Sequence, residues 1–176
     1  MKKPNTMNHR VRLTVAALLA LPGLAVAQST AVPNPAASML PVVYGAPIPL
    51  ADAKRIAAGA VAEAQKIGIP MVVAVTDPAG QLVYFERMDG AIAGGVQVAQ
   101  QKAASAALYK RPTKAFEDAV AAGGVGVRFL RLDRAVPIEG GLPIVVDGKL
   151  VGAIGASGGS GVQDGQVAKA GIDQLK

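Results

Sequence analysis

Apolar side chains return at helical spacing over residues 50–67: Leu50, Ala53, Ile56, Ala57, Ala60, Val61, Ala64 and Ile67. Asp52, Arg55, Glu63 and Lys66 lie off that stripe, so the segment predicts an amphipathic helix with one buried face. Its acid near the start and its cation near the end suit the helix dipole, and Gly68 can supply the C-terminal cap. The period then changes. Met71 to Val75 is a short apolar run suited to a buried strand, and Leu82 to Met88 reads as its return strand. Between them, Asp77-Pro78-Ala79-Gly80 has the residues of a type I turn, which predicts a β-hairpin over 70–88.

Residues 92–109 return to helical spacing with small side chains, Val96, Ala99, Ala103, Ala106 and Ala107, which permit close packing. Arg111-Pro112 breaks this helix, a second runs over about 113–121, and Gly123-Gly124-Val125-Gly126 ends it. Three strands are expected next, at 135–138, 142–147 and 150–156, with Asp147-Gly148 as a tight hairpin turn. A last helix covers about 162–175, and Ser160 to Gln163 has the form of a capping box. The order α-β-β-α-α-β-β-β-α gives an α/β (α+β) fold, an antiparallel five-stranded sheet flanked by helices.

The start of the chain changes the picture of charge. Residues 1–12 are basic and polar, residues 13–27 are apolar, and Ala25-Val26-Ala27 fits a small-x-small cleavage pattern. This reads as a secretory signal peptide over residues 1–27, cut between Ala27 and Gln28, with a periplasmic or secreted product. Removing the leader's Lys2, Lys3, Arg10 and Arg12 from the 18 basic residues leaves 14 against 12 acids, a net +2 rather than the +6 of the full chain. With that balance and six aromatics, nucleic acid is a poor partner, because its affinity rests on clustered cations and stacking platforms. The mature form needs no membrane span. Residues 28–49 carry five prolines and read as an extended arm ahead of a domain at 50–176.

Absent residue types exclude chemistry. The chain has no Cys, and its single His, His9, lies in the leader. Disulfides, thiol nucleophiles, a Ser-His-Asp triad and His-ligated metal are therefore excluded from the mature protein. What remains is cationic or glycine-rich. Gly152, Gly155, Gly158, Gly159 and Gly161 lie between a strand and a helix, and read either as an anion nest or as close-packing positions. Arg87 reads as a carboxylate binder or as a surface partner of Asp89, beside Met88 as a cofactor contact or a core residue. Lys110-Arg111-Pro112-Thr113-Lys114 reads as an acidic-ligand site or as cations favoured by a helix end. Asp77 and Asp164 read as turn and helix-start residues.

Taken in order, Arg87-Met88-Asp89-Gly90, Gln101-Lys102-Ala103, Arg111-Pro112-Thr113, Gly140-Gly141-Leu142-Pro143-Ile144, Asp147-Gly148, Gly152 to Gly158 and Asp164 resemble the GlcG/HbpS-like family. The resemblance covers about residues 50–175. It implies a compact α/β domain that assembles into homo-oligomers. It also implies binding of haem or another tetrapyrrole in some members, and iron-dependent haem breakdown in some. Carried over by position, the family site comprises Arg87, Met88, Lys102, Arg111 and Thr113, near Gly155 and Ser157. Arg87, Lys102 or Arg111 would pair with the propionates. With no His, iron ligation falls to Thr113, Tyr109, Met88, Tyr84 or water, which implies loosely held, transferable haem. The expected function is an exported haem-binding protein, with slow oxidative haem degradation as its enzymatic form. The alternatives are a binder or enzyme for a small organic acid that uses the same cations, and a non-catalytic oligomeric module.

Overall fold

The computed structural model describes Met1 and residues 42–175; the expected leader and most of the Pro-rich arm lie outside the described residues. The elements are β1 (Val43–Tyr44), α1 (Leu50–Lys66), β2 (Val72–Thr76), β3 (Leu82–Arg87), α2 (Gly95–Leu108), α3 (Lys114–Ala121), a 3-10 helix (Gly124–Arg131), β4 (Gly141–Val146), β5 (Lys149–Ser157) and α4 (Gly161–Ile172).

The sheet is centred on β2 and β5. Both faces of β2 are buried, and alternate residues divide between two layers. Val73 and Val75 join Ile154 and Ala156 of β5 against α1 and α4. Val72 and Ala74 turn the other way, onto Ala99 and Ala103 of α2. A sheet between two helical layers buries a continuous apolar run, which is why β2 shows no polar alternation.

Two expectations change here. Residues 135–138 form no strand; the fifth strand is β1, inside the segment read as an arm. It pairs parallel with β5 at Val43↔Lys149 and Tyr44↔Leu150, so the sheet is mixed rather than purely antiparallel. The reason is an unfilled edge. On one side of β5, β2 covers residues 153–157 and stops, leaving the first residues of β5 without a ladder partner. Backbone donors and acceptors there need partners, and the incoming chain supplies them. Lys110 secures the arrangement, donating from Nζ to the Val42 carbonyl (2.9 Å) and lying 4.1 Å from the Tyr44 ring centroid. The other miss is the 3-10 helix at 124–131. Its glycines read as a terminator, but Gly126 is buried where a Cβ would lie 1.8 Å from the Ala119 carbonyl oxygen of α3.

The turns follow the sequence chemistry closely. Ile69 N–H donates to Ala64 O and Gly68 N–H to Gln65 O, with Gly68 at φ +71, a Schellman cap on α1. Asp77 Oδ1 accepts from the Ala79 and Gln81 amides. Asp147 and Gly148 both have positive φ, as a type I′ hairpin turn requires. The capping box at Ser160 and Gln163 is formed in both directions. Ser160→Ala should therefore cost about 1 kcal/mol, read as a lower denaturant midpoint with an unchanged slope.

Candidate functional site

The residues carried by the family resemblance fall into three places. The first is one end of the sheet. Val72 pairs with both Arg87 and Ser157, so those two face each other across one intervening strand. Arg87 is exposed and donates from Nη2 to the Ala91 carbonyl (3.0 Å). Met88 is turned inward: its Sδ accepts from the Met71 amide (3.3 Å), and its side chain packs on the larger core. Ser157 is 5% exposed.

The second place is the buried centre. Lys102 on α2 is only 1% exposed; its Nζ lies 2.6 Å from Asp164 Oδ2 and 3.2 Å from the Ala156 carbonyl oxygen. The second carboxylate oxygen, Asp164 Oδ1, accepts from the Gly158 and Gly159 amides at 3.1 and 2.9 Å. The anion nest read from the glycine run therefore exists, and the anion in it is the chain's own carboxylate. Asp164 lies in the first turn of α4, where the helix dipole favours negative charge. Thr113 is fully buried beside this pair. Its Oγ1 accepts from the Gly141 amide (2.9 Å), while its own amide donates to the Gly141 carbonyl (3.0 Å). Gly155 pairs with Gly141 in the β4–β5 ladder, and a Cβ on Gly155 would lie 2.0 Å from Ala99 O.

The third place is the α2–α3 junction. Lys110 takes φ +49 at the C′ position of α2, and Arg111 and Lys110 donate their amides to Ala106 O and Ala107 O. This is a second Schellman cap, with lysine where glycine is usual. Arg111 is 6% exposed, lies 5.0 Å from the Phe116 ring centroid and donates from Nε to Tyr109 O (3.2 Å). Burial pushes the Arg111 pKa down from its ordinary value. Tyr109 stacks edge-on against Phe116, and its hydroxyl donates to the Asp133 carbonyl. Burial, then the nearby Asp133 charge, raises its pKa. Tyr84, the other candidate phenol ligand, donates to Glu86 Oε2 (3.1 Å), and that bond raises its pKa.

The structure thus does not gather these residues into one pocket. Two surface features went unread in the sequence. One is the outer face of the 3-10 helix, where Val125, Val127, Leu130 and Leu132 are exposed beside exposed Arg128 and Arg131. The other is a cleft of about 620 Å³ between the β2–β3 turn, α2 and residues 133–136. Adjacent Gln100-Gln101 on α2 was its only sequence signal. Among the described residues no group of three His, Cys, Asp or Glu could hold a metal ion, and no helix is long and apolar enough to cross a membrane.

Comparison with known proteins defines the class. The pattern of the HbpS-like family, described as haem degrading protein HbpS-like, matches residues 48–173. The chain belongs to this HbpS-like family. Protein GlcG of Escherichia coli K12 is 42% identical over 105 residues, covering 60% of this chain and 77% of GlcG. Among solved structures, a double mutant of Streptomyces reticuli HbpS superposes with a TM-score of 0.69 at 29% identity, covering 93% of this chain and 99% of that one. A PduOC:haem complex superposes with a TM-score of 0.67 at 30% identity, covering 73% of this chain and 94% of that one.

Proposed function

We propose that this chain is an exported haem-binding protein that holds haem loosely, at its surface, and supports its slow oxidative breakdown. The observation that carries this reading is the likeness to the PduOC:haem complex within a family described by haem degradation. The side chains fit haem as an amphipathic dianion and do not fit strong axial ligation. Thr113 is fully buried and tied to Gly141, Met88 Sδ accepts an amide, and the Tyr109 and Tyr84 hydroxyls are engaged. Lys102 is neutralised by Asp164 and closed off from propionates. The 3-10 helix face supplies what remains: exposed aliphatic side chains for a planar apolar ring, with Arg128 and Arg131 for two carboxylates. When bound, haem would supply the redox chemistry with oxygen or peroxide; the chain would position the ring and its charges. Export rests on the basic and apolar leader, and homo-oligomer formation on the many exposed aliphatic positions.

The test is a hemin titration of residues 28–176 followed at the Soret band. A saturable shift is expected, weakened about tenfold in Arg128→Glu/Arg131→Glu, an effect equal to ~1.4 kcal/mol. Arg111→Ala and Thr113→Ala are poor probes, because both positions are buried in the fold. No saturable shift would overturn the reading. If breakdown occurs, peroxide should bleach the protein-bound Soret band faster than that of hemin alone.

A further inference from the structure

The cleft at residues 133–136 adjoins Leu132 at the end of the apolar face but is lined by neither Arg128 nor Arg131. One wall is a turn closed by Ala135 N–H to Leu132 O, with Asp133 and Arg134 at its centre. Arg134 has φ +58, a left-handed conformation that this turn position ordinarily gives to glycine or asparagine. Such strain persists only where the surroundings over-determine it, and they do so here. The Tyr109 hydroxyl holds Asp133 O, the fully buried Ser105 hydroxyl accepts from the Val136 amide (3.1 Å), and Arg134 Nη2 donates to Gly80 O (3.3 Å).

The outcome is an acid and a cation on consecutive residues of the cleft wall, with the turn backbone held at Asp133 and the Arg134 guanidinium anchored on Gly80. Among the described residues, neither Asp133 nor Arg134 forms an ion pair with the other or with any other side chain. Gln81 on the hairpin turn and Gln100 and Gln101 on α2 also line the cleft; Gln100 Nε2 already donates to the Val96 carbonyl (2.9 Å), which leaves its Oε1 and second N–H for a ligand. A lone anion would meet Asp133 and a lone cation would meet Arg134. A ligand carrying both charges on neighbouring atoms satisfies the pair, and amides then suit an uncharged polar group. The cleft volume lies in the range of small-molecule sites.

We propose that this cleft binds a small polar α-amino acid as its zwitterion, with the carboxylate on Arg134, the ammonium on Asp133 and the side chain among Gln81, Gln100 and Gln101. The test is a thermal-shift and calorimetric screen of residues 28–176 with the common α-amino acids at millimolar concentration. For the tightest binder, the 2-hydroxy acid lacking its ammonium and the amine lacking its carboxylate are run beside it. At least one polar amino acid should bind saturably, and each truncated partner should bind roughly tenfold more weakly or worse. Arg134→Gly separates binding from folding, because glycine suits the turn: its melting temperature should stay equal or rise while binding is lost. Asp133→Asn should remove the preference for the amino acid over the hydroxy acid. No binding by any amino acid, equal binding of the hydroxy acid, or full binding by Arg134→Gly would each overturn the assignment. The hemin titration is independent of all of these outcomes.

Discussion

Asp164→Ala should lower the stability of the folded chain by about 3–5 kcal/mol, the loss typical of stranding one member of a buried ion pair. The magnitude follows from what is left behind. Lys102 Nζ, on a side chain 1% exposed, keeps only the Ala156 carbonyl. The Gly158 and Gly159 amides also lose their shared acceptor, but Gly158 is half-buried and Gly159 exposed, so water can replace it and the main loss is the stranded ammonium. The reverse substitution is not equivalent. In Lys102→Met the carboxylate keeps both amides and its place in the first turn of α4, so the loss should be clearly smaller, about 1–3 kcal/mol. Urea unfolding of the two variants decides the matter. Equal losses would mean that the ion pair dominates; a larger loss for Asp164→Ala means that the carboxylate is the keystone of β5, α2 and α4 together.

That asymmetry also says why the sequence revealed the fold better than the site. Local chemistry acts through neighbouring residues, and it is legible. Gly68 capping α1, Asp77 in its turn, Asp147-Gly148 between strands and Ser160 with Gln163 all do what their spacing implies. The apolar run of β2 reads as a buried strand and the small residues of α2 as a close-packing face, and the structure uses both in that way. Lys102 and Asp164 are 62 residues apart, and no periodicity couples them. Each read separately as a ligand cation and a helix-start acid; only the close approach of α2, β5 and α4 makes them partners. β1 was illegible for a related reason. Two strand residues among prolines carry no pattern, and their pairing is dictated by the edge that β2 leaves open. The Asp133–Arg134 turn depends on Tyr109, Ser105 and Gly80, all distant in sequence.

The glycine run could serve a nest or close packing, and the structure divides the labour within it. Gly158 and Gly159 form the nest, and Gly155 is the packing position. Gly155→Ala should therefore cost about 3 kcal/mol, the upper part of the usual range for overpacking a core. The added methyl would lie 2.0 Å from Ala99 O and 2.6 Å from the Ala103 backbone nitrogen. Both are helix backbone atoms, so no side-chain rotation relieves the contact; α2 as a whole must move off the sheet. That movement would also strain Lys102 on the same helix, so the effect should reach the ion pair. The control is Gly148→Ala in the exposed β4–β5 turn. No atom lies within 4 Å of a Cβ there, and the cost comes only from the positive φ of +71, about 1 kcal/mol. Denaturant midpoints for the two variants give the comparison. If Gly155→Ala falls no further than Gly148→Ala, α2 and β5 are not held at this separation by backbone contact. A larger fall, carried further in the Lys102→Met background by less than the sum of the single losses, would show that Gly155 and the ion pair depend on one helix position.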